Sequence, residues 1–231
     1  AKHFVYPEYL YSIQADVLKQ YHQVQPEVLF RSDDVWNTAK ENTSKVTTLV
    51  GTDIKPYYTA VKTVDNSETI LGLVLPYTIN EKQNINAYLV GSYDGNGKKT
   101  LKLYKFNKDT AILGTLQLDT LVEQDEKISA ELKSIEVTGT KIEKNIIVIP
   151  VNNTLLYVEP IFQVLQNENK TAPILKKVIV ASGNKVAIGN TLEKALVNLL
   201  SQEAVSIKIE TDNIDDLIEE IIKANNNLTE S

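Results

Sequence analysis

The chain of 231 residues contains no cysteine and only two histidines, His3 and His22. The missing cysteines exclude disulfide bridges, thiolate metal sites and cysteine nucleophiles. A zinc site of the usual kind needs histidine or cysteine ligands at short spacing, which His3 and His22 do not provide. No glycine-rich segment stands between a strand and a helix, where a phosphate-cradling loop would lie. We therefore expect no metal and no cofactor in this chain.

Methionine and long apolar runs are also missing from the sequence. The longest apolar runs, such as Ile146–Ile149, are far shorter than the ~20 residues that cross a bilayer. No charged n-region followed by an apolar h-region opens the chain, so we expect no signal peptide in this piece. Because even a start methionine is absent, we expect the chain to be excised from a longer protein, with no direct membrane insertion of its own.

The net charge of −6 is concentrated near one end of the chain. Residues 203–231 hold eight acids against Lys208 and Lys223, so residues 1–202 are electrically balanced. A neutral body lacks the Lys- and Arg-rich surface of a nucleic-acid-binding domain, so no nucleic-acid partner is expected. The change in charge also predicts two units: a domain over residues 1–200 and an acidic C-terminal extension over residues 201–231.

Pairs of apolar segments separated by turn-forming residues are typical of β-hairpins. The strongest signal is Asp94–Gly97 between Ile85–Tyr93 and Thr100–Phe106, because Asp-Gly and Asn-Gly adopt the positive φ of tight turns. The other pairs are Tyr57–Val64 with Thr69–Leu75, Ile146–Val151 with Thr154–Val158, and Leu175–Ala181 with Lys185–Ile188. We predict an α+β fold: a mainly antiparallel sheet built from several hairpins, with helices packed on it and a C-terminal amphipathic helix.

Apolar residues at helical spacing predict helices at both ends of the chain and near its middle. The middle helix begins at Asp125, and the polar segment 37–54 is predicted to be a long surface loop. The first helix is amphipathic, and its apolar positions are Tyr9, Leu10, Ile13, Val17, Leu18 and Tyr21.

The last helix, Asp212–Ala224, has the cleanest amphipathic pattern in the chain. Its apolar face consists of Ile214, Leu217, Ile218, Ile221 and Ile222. One interpretation is a docking face that enters a groove of a partner. The other is a terminal helix that packs on its own domain with its acids outward.

Three residues are candidates for acid–base catalysis. Glu159 is the one acid in the apolar run Leu155–Phe162, where burial would raise its pKa as a catalytic acid requires. Glu159 also alternates with Tyr157 along one strand face, so a hydrated or lysine-paired structural carboxylate is the competing interpretation. Asp125 and His22, which follows the first helix, would be its partners in a carboxylate-dependent hydrolase.

Several short motifs follow one another in an order that is itself informative. They are Tyr6-Pro7-Glu8, Gln14-Ala15-Asp16, Pro56-Tyr57-Tyr58, Leu75-Pro76-Tyr77-Thr78, Val148-Ile149-Pro150, Leu155-Leu156-Tyr157-Val158-Glu159-Pro160 and Val178-Ile179-Val180-Ala181. In this order they resemble the soluble C-terminal region of a family of large bacterial membrane proteins, the uncharacterised protein family 0182. The resemblance covers about residues 4–200. Ile135 and Lys144 depart from it, since the family pattern has Trp and Gly at these positions.

The resemblance implies a multi-pass membrane portion followed by a large soluble part, to which this chain would belong. It supplies no activity, cofactor or catalytic residue. We expect a binding or assembly role on the extracytoplasmic side of the cell membrane, with the protein's own transmembrane portion or sister subunits as partners. The hydrolase alternative requires two candidate residues within hydrogen-bonding distance in a pocket. A structural spacer, the remaining alternative, requires no pocket and no large exposed apolar patch.

Overall fold

The computed structural model describes residues 6–23, 25–31, 35–44, 51–62, 69–79, 82–93, 97–106, 112–151, 154–165 and 172–206. The helices in these ranges are α1 (Glu8–Tyr21), α2 (Pro26–Arg31), α3 (Thr115–Gln124), α4 (Glu126–Ile135) and α5 (Leu192–Ser206). The strands are β1 (Trp36–Thr38), β2 (Lys40–Glu41), β3 (Thr52–Asp53), β4 (Tyr57–Val61), β5 (Ile70–Ile79), β6 (Ile85–Tyr93), β7 (Lys99–Lys105), β8 (Thr140–Lys144), β9 (Ile147–Val151), β10 (Thr154–Leu165), β11 (Ile174–Ser182) and β12 (Lys185–Gly189). Antiparallel sheets with helices against them confirm the predicted α+β class. None of these helices is long and apolar enough to span a membrane.

The first large sheet is organised around the long strand β5. One edge of β5 pairs with β6, and β6 pairs with β7. The other edge of β5 pairs with both β4 and β1, which lie one after the other along it. The β4–β5 and β6–β7 pairs confirm two of the predicted hairpins. Most of their turn residues, at 63–68 and 94–96, lie outside the described residues.

The second large sheet is organised in the same way around β10. One edge of β10 pairs with β11, and β11 pairs with β12. The other edge of β10 pairs with both β9 and β8, which lie one after the other along it. The other two predicted hairpins, β9–β10 and β11–β12, are thereby confirmed. At the turn between β11 and β12, Gly183 has a φ of +59°, a conformation that glycine adopts without strain.

Side chains of β10 alternate between two hydrophobic cores, as successive residues of a strand must. Leu155, Tyr157 and Ile161 enter the main core, which the two large sheets share with α1, α3 and α4. Leu156 and Val158 enter a second core, where α5 packs on β11 and β12. The two sheets also meet at their edges: the Tyr57 hydroxyl of β4 donates to the Val148 carbonyl of β9 at 2.8 Å and accepts from its N–H at 2.8 Å.

The prediction of a surface loop over residues 37–54 is wrong for the part that the structure describes. This segment contributes to β1 and forms β2 and β3, and Ala39 and Ile54 are buried. The Ile54 N–H donates to the Ala39 carbonyl at 2.9 Å. Strands of two or three residues are set by pairing with distant segments, so they leave no local periodicity for a sequence pattern to detect.

The C-terminal region is described through helix α5, which continues across position 200 to Ser206. The predicted helix Asp212–Ala224 and its apolar face (Ile214, Leu217, Ile218, Ile221 and Ile222) lie outside the described residues. The division into a domain and an acidic extension therefore stays a prediction.

Candidate functional site

A buried cluster of charged side chains lies where α3 meets the second sheet. Lys144, at the end of β8, forms ion pairs with Asp119 of α3 and with Glu159 of β10. The Nζ of Lys144 is 2.9 Å from the Oε1 of Glu159, and all three side chains are buried. We call these three residues the Lys144 cluster. Charged groups are seldom fully buried unless they are paired, so the pairing accounts for their position.

Strand register brings Lys144 and Glu159 together. Lys144 pairs with Ile161 across the β8–β10 ladder, and Glu159 lies two residues from Ile161. Glu159 therefore points to the same face of the sheet and is a diagonal neighbour of Lys144. The alternation that places Tyr157 in the main core also carries Glu159 inward.

Helix α3 and the segment after β2 complete the surroundings of the Lys144 cluster. Asp119 belongs to the buried side of α3 together with Thr115 and Val122. The side-chain amide of Asn42 donates to the Oδ2 of Asp119 at 2.7 Å. The Lys144 backbone N–H donates to the Thr43 carbonyl at 3.0 Å, which holds this segment beside β8.

The Lys144 cluster contains two carboxyl groups and one ammonium group, so full ionisation would leave a buried negative charge. Burial raises the pKa of Glu159 to about 7, against an opposing effect of the Lys144 charge, and the neighbouring Asp119 adds to the increase. Burial by itself lowers the pKa of Lys144, but its two carboxylate neighbours outweigh this and raise it. Near neutral pH, Glu159 is thus partly protonated while Lys144 stays charged.

A small cavity of about 80 Å³ adjoins the Lys144 cluster. Glu123 and Ser129 contribute polar groups to its wall, and the rest of its lining is apolar: Val122, Leu132, Ile142 and Ile161. Pockets for drug-sized ligands measure roughly 300–1,000 Å³, whereas a water molecule occupies roughly 30 Å³ of liquid. The cavity therefore suits a few water molecules. Among the described residues, the Oε2 of Glu159 has no hydrogen-bond partner.

The three predicted acid–base candidates occupy different places. Asp125 is the N-cap of α4, where its Oδ1 accepts the Ile128 N–H at 2.9 Å. His22 follows α1, and its ring stacks on Trp36 at a centroid distance of 3.8 Å. Neither residue lines the cavity beside Glu159. The structure thus places Glu159 beside Lys144 and Asp119. Glu159 is both buried and paired with a lysine, so each interpretation of its sequence context describes part of its surroundings.

The sequence patterns did not identify Asn42, Asp119 or Lys144. Asp119 lies three residues before Val122 and four after Thr115 on the buried side of α3, but α3 itself was not predicted, so this spacing gave no signal. Lys144 ends a strand that was not predicted, and Asn42 lies in the segment predicted to be a loop. Within the described residues, no group of three or more His, Cys, Asp or Glu residues is placed to hold a metal ion.

A second feature is an exposed apolar row on α1, formed by Tyr9, Ile13, Val17 and Tyr21, which we call the α1 face. Their side chains are between 53% and 73% exposed. The helix instead buries Tyr11 and Ala15. The predicted helix is correct, but these four of its apolar positions face outward. The reason is that α1 carries two apolar rows at helical spacing and the sheet covers the other one.

Comparison with known proteins gives one family. Residues 1–135 match the "Uncharacterised protein family (UPF0182)". A UPF0182 protein of Caldicellulosiruptor saccharolyticus is 33% identical over 210 residues, which is 90% of this chain and 23% of the relative. A UPF0182 protein of Trichodesmium erythraeum is 36% identical over 200 residues, 84% of this chain and 18% of the relative.

A third relative, from Desulfitobacterium hafniense, is 35% identical over 207 residues, which is 85% of this chain and 21% of the relative. The chain thus spans about a fifth to a quarter of the length of the curated relatives that it matches. No solved structure matches the chain.

Proposed function

Because the chain belongs to the uncharacterised protein family UPF0182, we propose that it is a binding and assembly domain of a larger bacterial membrane protein. The observation that carries the proposal is the α1 face. A soluble monomer rarely exposes a contiguous row of large apolar side chains without a use for it. A purely structural spacer has no need of such a row, so the α1 face favours docking over that alternative.

The occupant that we propose for the α1 face is a helix from the remaining polypeptide of the same protein or of a sister subunit. Tyr9, Ile13, Val17 and Tyr21 recur at every fourth position, and such rows form the ridges that pack into grooves of another helix. Fully burying one large apolar side chain contributes roughly 1.5–3 kcal/mol. Relatives four to five times longer than the matched segment contain ample chain to supply that helix.

The parent protein, in this proposal, is a multi-pass protein of the cell membrane, and the present domain lies on the extracytoplasmic side. The support is the motif resemblance, which implies transmembrane segments ahead of a large soluble part. The apolar face of Asp212–Ala224 would be a second docking element, with its acids facing water.

A carboxylate-dependent hydrolase is the competing function, and Glu159 is the residue that favours it. A buried carboxyl group with a pKa of about 7 matches the requirement for a general acid at neutral pH. Against this, the adjoining cavity of about 80 Å³ suits water better than a substrate. Docking by the α1 face is therefore the better-supported function.

The docking proposal is tested by photo-crosslinking in the full-length protein. A photoreactive residue at position 13 should form a covalent product with another segment of the same polypeptide or with a sister copy. The matched control is position 127, because Lys127 is exposed on the polar surface of α4. Equal yields from positions 13 and 127 would contradict docking at the α1 face.

The proposed side of the membrane has its own test, which uses the absence of cysteine from the chain. A Lys127→Cys variant of the full-length protein should react with a membrane-impermeant maleimide on intact cells. The unsubstituted full-length protein shows how much labelling comes from other segments. Labelling of the variant above this background only after lysis would contradict the extracytoplasmic placement.

A further inference from the structure

A separate cleft of about 400 Å³ opens where α1, the first sheet and α3 converge. Its volume is within the range of small-molecule sites, roughly 300–1,000 Å³. Its walls come from the end of α1, from β1 to β3, from the end of β5 and from the start of α3. Its polar lining includes Thr38, Lys40, Asp53, Thr78, Lys82 and Gln83.

The charge of this cleft is positive, although the body of the protein is neutral. Lys19, Lys40 and Lys82 line it against one acid, Asp53, which leaves a formal charge of +2. Lys19 also pairs with Asp16 at 3.2 Å. Lys40 and Lys82 form no ion pair with any residue that the structure describes. Asp53 lies opposite Lys40 in the β2–β3 ladder, so the lysines outnumber the acid in this concave site and create a local attraction for an anion.

The start of α3 adds to the positive potential, because a helix N-terminus carries a partial positive charge. Close packing holds it at the cleft. A Cβ on Gly114 would lie 1.7 Å from the carbonyl oxygen of Gln83, so the backbone before α3 rests directly on a cleft-lining residue. The Thr115 hydroxyl donates to the Lys40 carbonyl at 2.5 Å, which ties the same helix start to β2.

We propose that this cleft binds a phosphate monoester of a small, hydroxyl-rich molecule. The negatively charged phosphate monoester suits this excess of lysines, and Lys40 and Lys82 are its main counterions. Thr38, Thr78 and Gln83 line the same cleft, and hydroxyl and amide side chains of this kind hydrogen-bond hydroxyl groups such as those of the esterified part. A free sugar phosphate and a lipid headgroup with a terminal phosphate share this chemistry.

The proposal is tested by calorimetric titration of the chain with glucose 6-phosphate and, separately, with glucose. We expect saturable binding of glucose 6-phosphate that weakens as salt is added, and no binding of glucose. The lipid source is tested with phosphatidylcholine vesicles that contain phosphatidic acid, a phosphate monoester, against vesicles that contain phosphatidylglycerol, a diester. Selective binding to the phosphatidic acid vesicles would support the proposal, with a lipid headgroup as the source of the phosphate monoester.

The assignment to this cleft is tested with the double variant Lys40→Gln and Lys82→Gln. We expect its affinity for the phosphate monoester to fall about tenfold or more, because charged hydrogen bonds are lost. The matched control is Lys127→Gln with Lys133→Gln, which removes the same charge from exposed positions on α4. Binding of neither phosphate monoester, or equal losses in the two double variants, would overturn the proposal. The results of these binding tests do not depend on whether the α1 face docks a partner, so the two proposals can fail separately.

Discussion

At the level of single residues, Glu159 shows how burial and pairing oppose each other. Burial raises its pKa to about 7, while pairing with Lys144 acts in the other direction. An acid whose pKa is higher in the folded state binds more protons there than in the unfolded chain between its two pKa values. The free energy of unfolding therefore decreases as the pH rises through that interval.

The variant Glu159→Gln should remove the part of this pH dependence that comes from Glu159. Between pH 4.5 and about 7, the titration of Glu159 lowers the free energy of unfolding by about 3 kcal/mol. A neutral Gln of the same shape does not titrate, so the variant lacks this decrease. Lys144 titrates well above this interval, and Glu41, whose pKa burial also raises, contributes a slope in the same direction. Urea unfolding at several pH values measures the difference. An unchanged slope in the variant would contradict the buried-carboxyl interpretation.

Two lysines on β8 provide a matched comparison of buried and exposed ion pairs. Lys144→Met leaves the Asp119 and Glu159 carboxyls buried without their cation, so we expect a loss of about 3–5 kcal/mol in the free energy of unfolding. Lys141 pairs with Glu143 at 2.6 Å in an exposed position, so Lys141→Met should cost about 1 kcal/mol or less. Denaturant unfolding of both variants checks this order, and equal losses would refute it.

At the level of elements, the hairpins were predictable and α3 and β8 were not. The β6–β7 and β11–β12 pairs carry Gly and Asn at their turns, and such residues mark a hairpin locally. Helix α3 has a buried acid, Asp119, within its apolar side, which weakens its amphipathic pattern. Strand β8 reads Thr-Lys-Ile-Glu-Lys, and a strand this polar is specified by its pairing with β10.

The placement of α3 depends on Gly114, and Gly114→Ala tests it. The φ of Gly114 is −82°, so alanine adds no backbone strain, but its Cβ would overlap the Gln83 carbonyl. Overpacking of this kind costs about 1–3 kcal/mol, and here the obstructing atom is backbone. Gly97→Ala is the comparison, because Gly97 has open space and a φ of +76°. Thermal unfolding should rank Gly114→Ala as the more damaging change; the reverse order would argue against close packing at this point.

At the scale of the whole molecule, the site illustrates what a sequence can and cannot specify. Glu159 was identifiable because an acid within an apolar run is a local anomaly. Its partners were not, because Lys144 and Asp119 reach it only through strand register and helix packing between segments far apart in the chain. The α1 face was hidden for a similar reason: two apolar rows on one helix are equivalent until the sheet covers one of them.

The acidic C-terminal end raises the remaining question at this scale, namely whether it belongs to the domain or to a partner. Helix α5 is described through Ser206, so deletion of residues 207–231 removes no residue of the described elements. The deletion removes seven acids and two lysines, and hence −5 of the net charge of −6. If the apolar face of Asp212–Ala224 serves a partner, the free energy of unfolding of the isolated chain should change by less than about 1 kcal/mol.

If the extension instead belongs to the domain, the deletion should change the free energy of unfolding by a much larger amount. If Ile214, Leu217, Ile218, Ile221 and Ile222 pack on their own domain, the deletion exposes the surface they cover and removes roughly 1.5–3 kcal/mol for each side chain that had been fully buried. Denaturant unfolding of the chain with and without residues 207–231 separates the two cases. A photoreactive residue at position 218 of the full-length protein should then crosslink to another segment or a sister copy. Crosslinks confined to residues 6–206, together with a large loss of stability, would assign the extension to the domain itself.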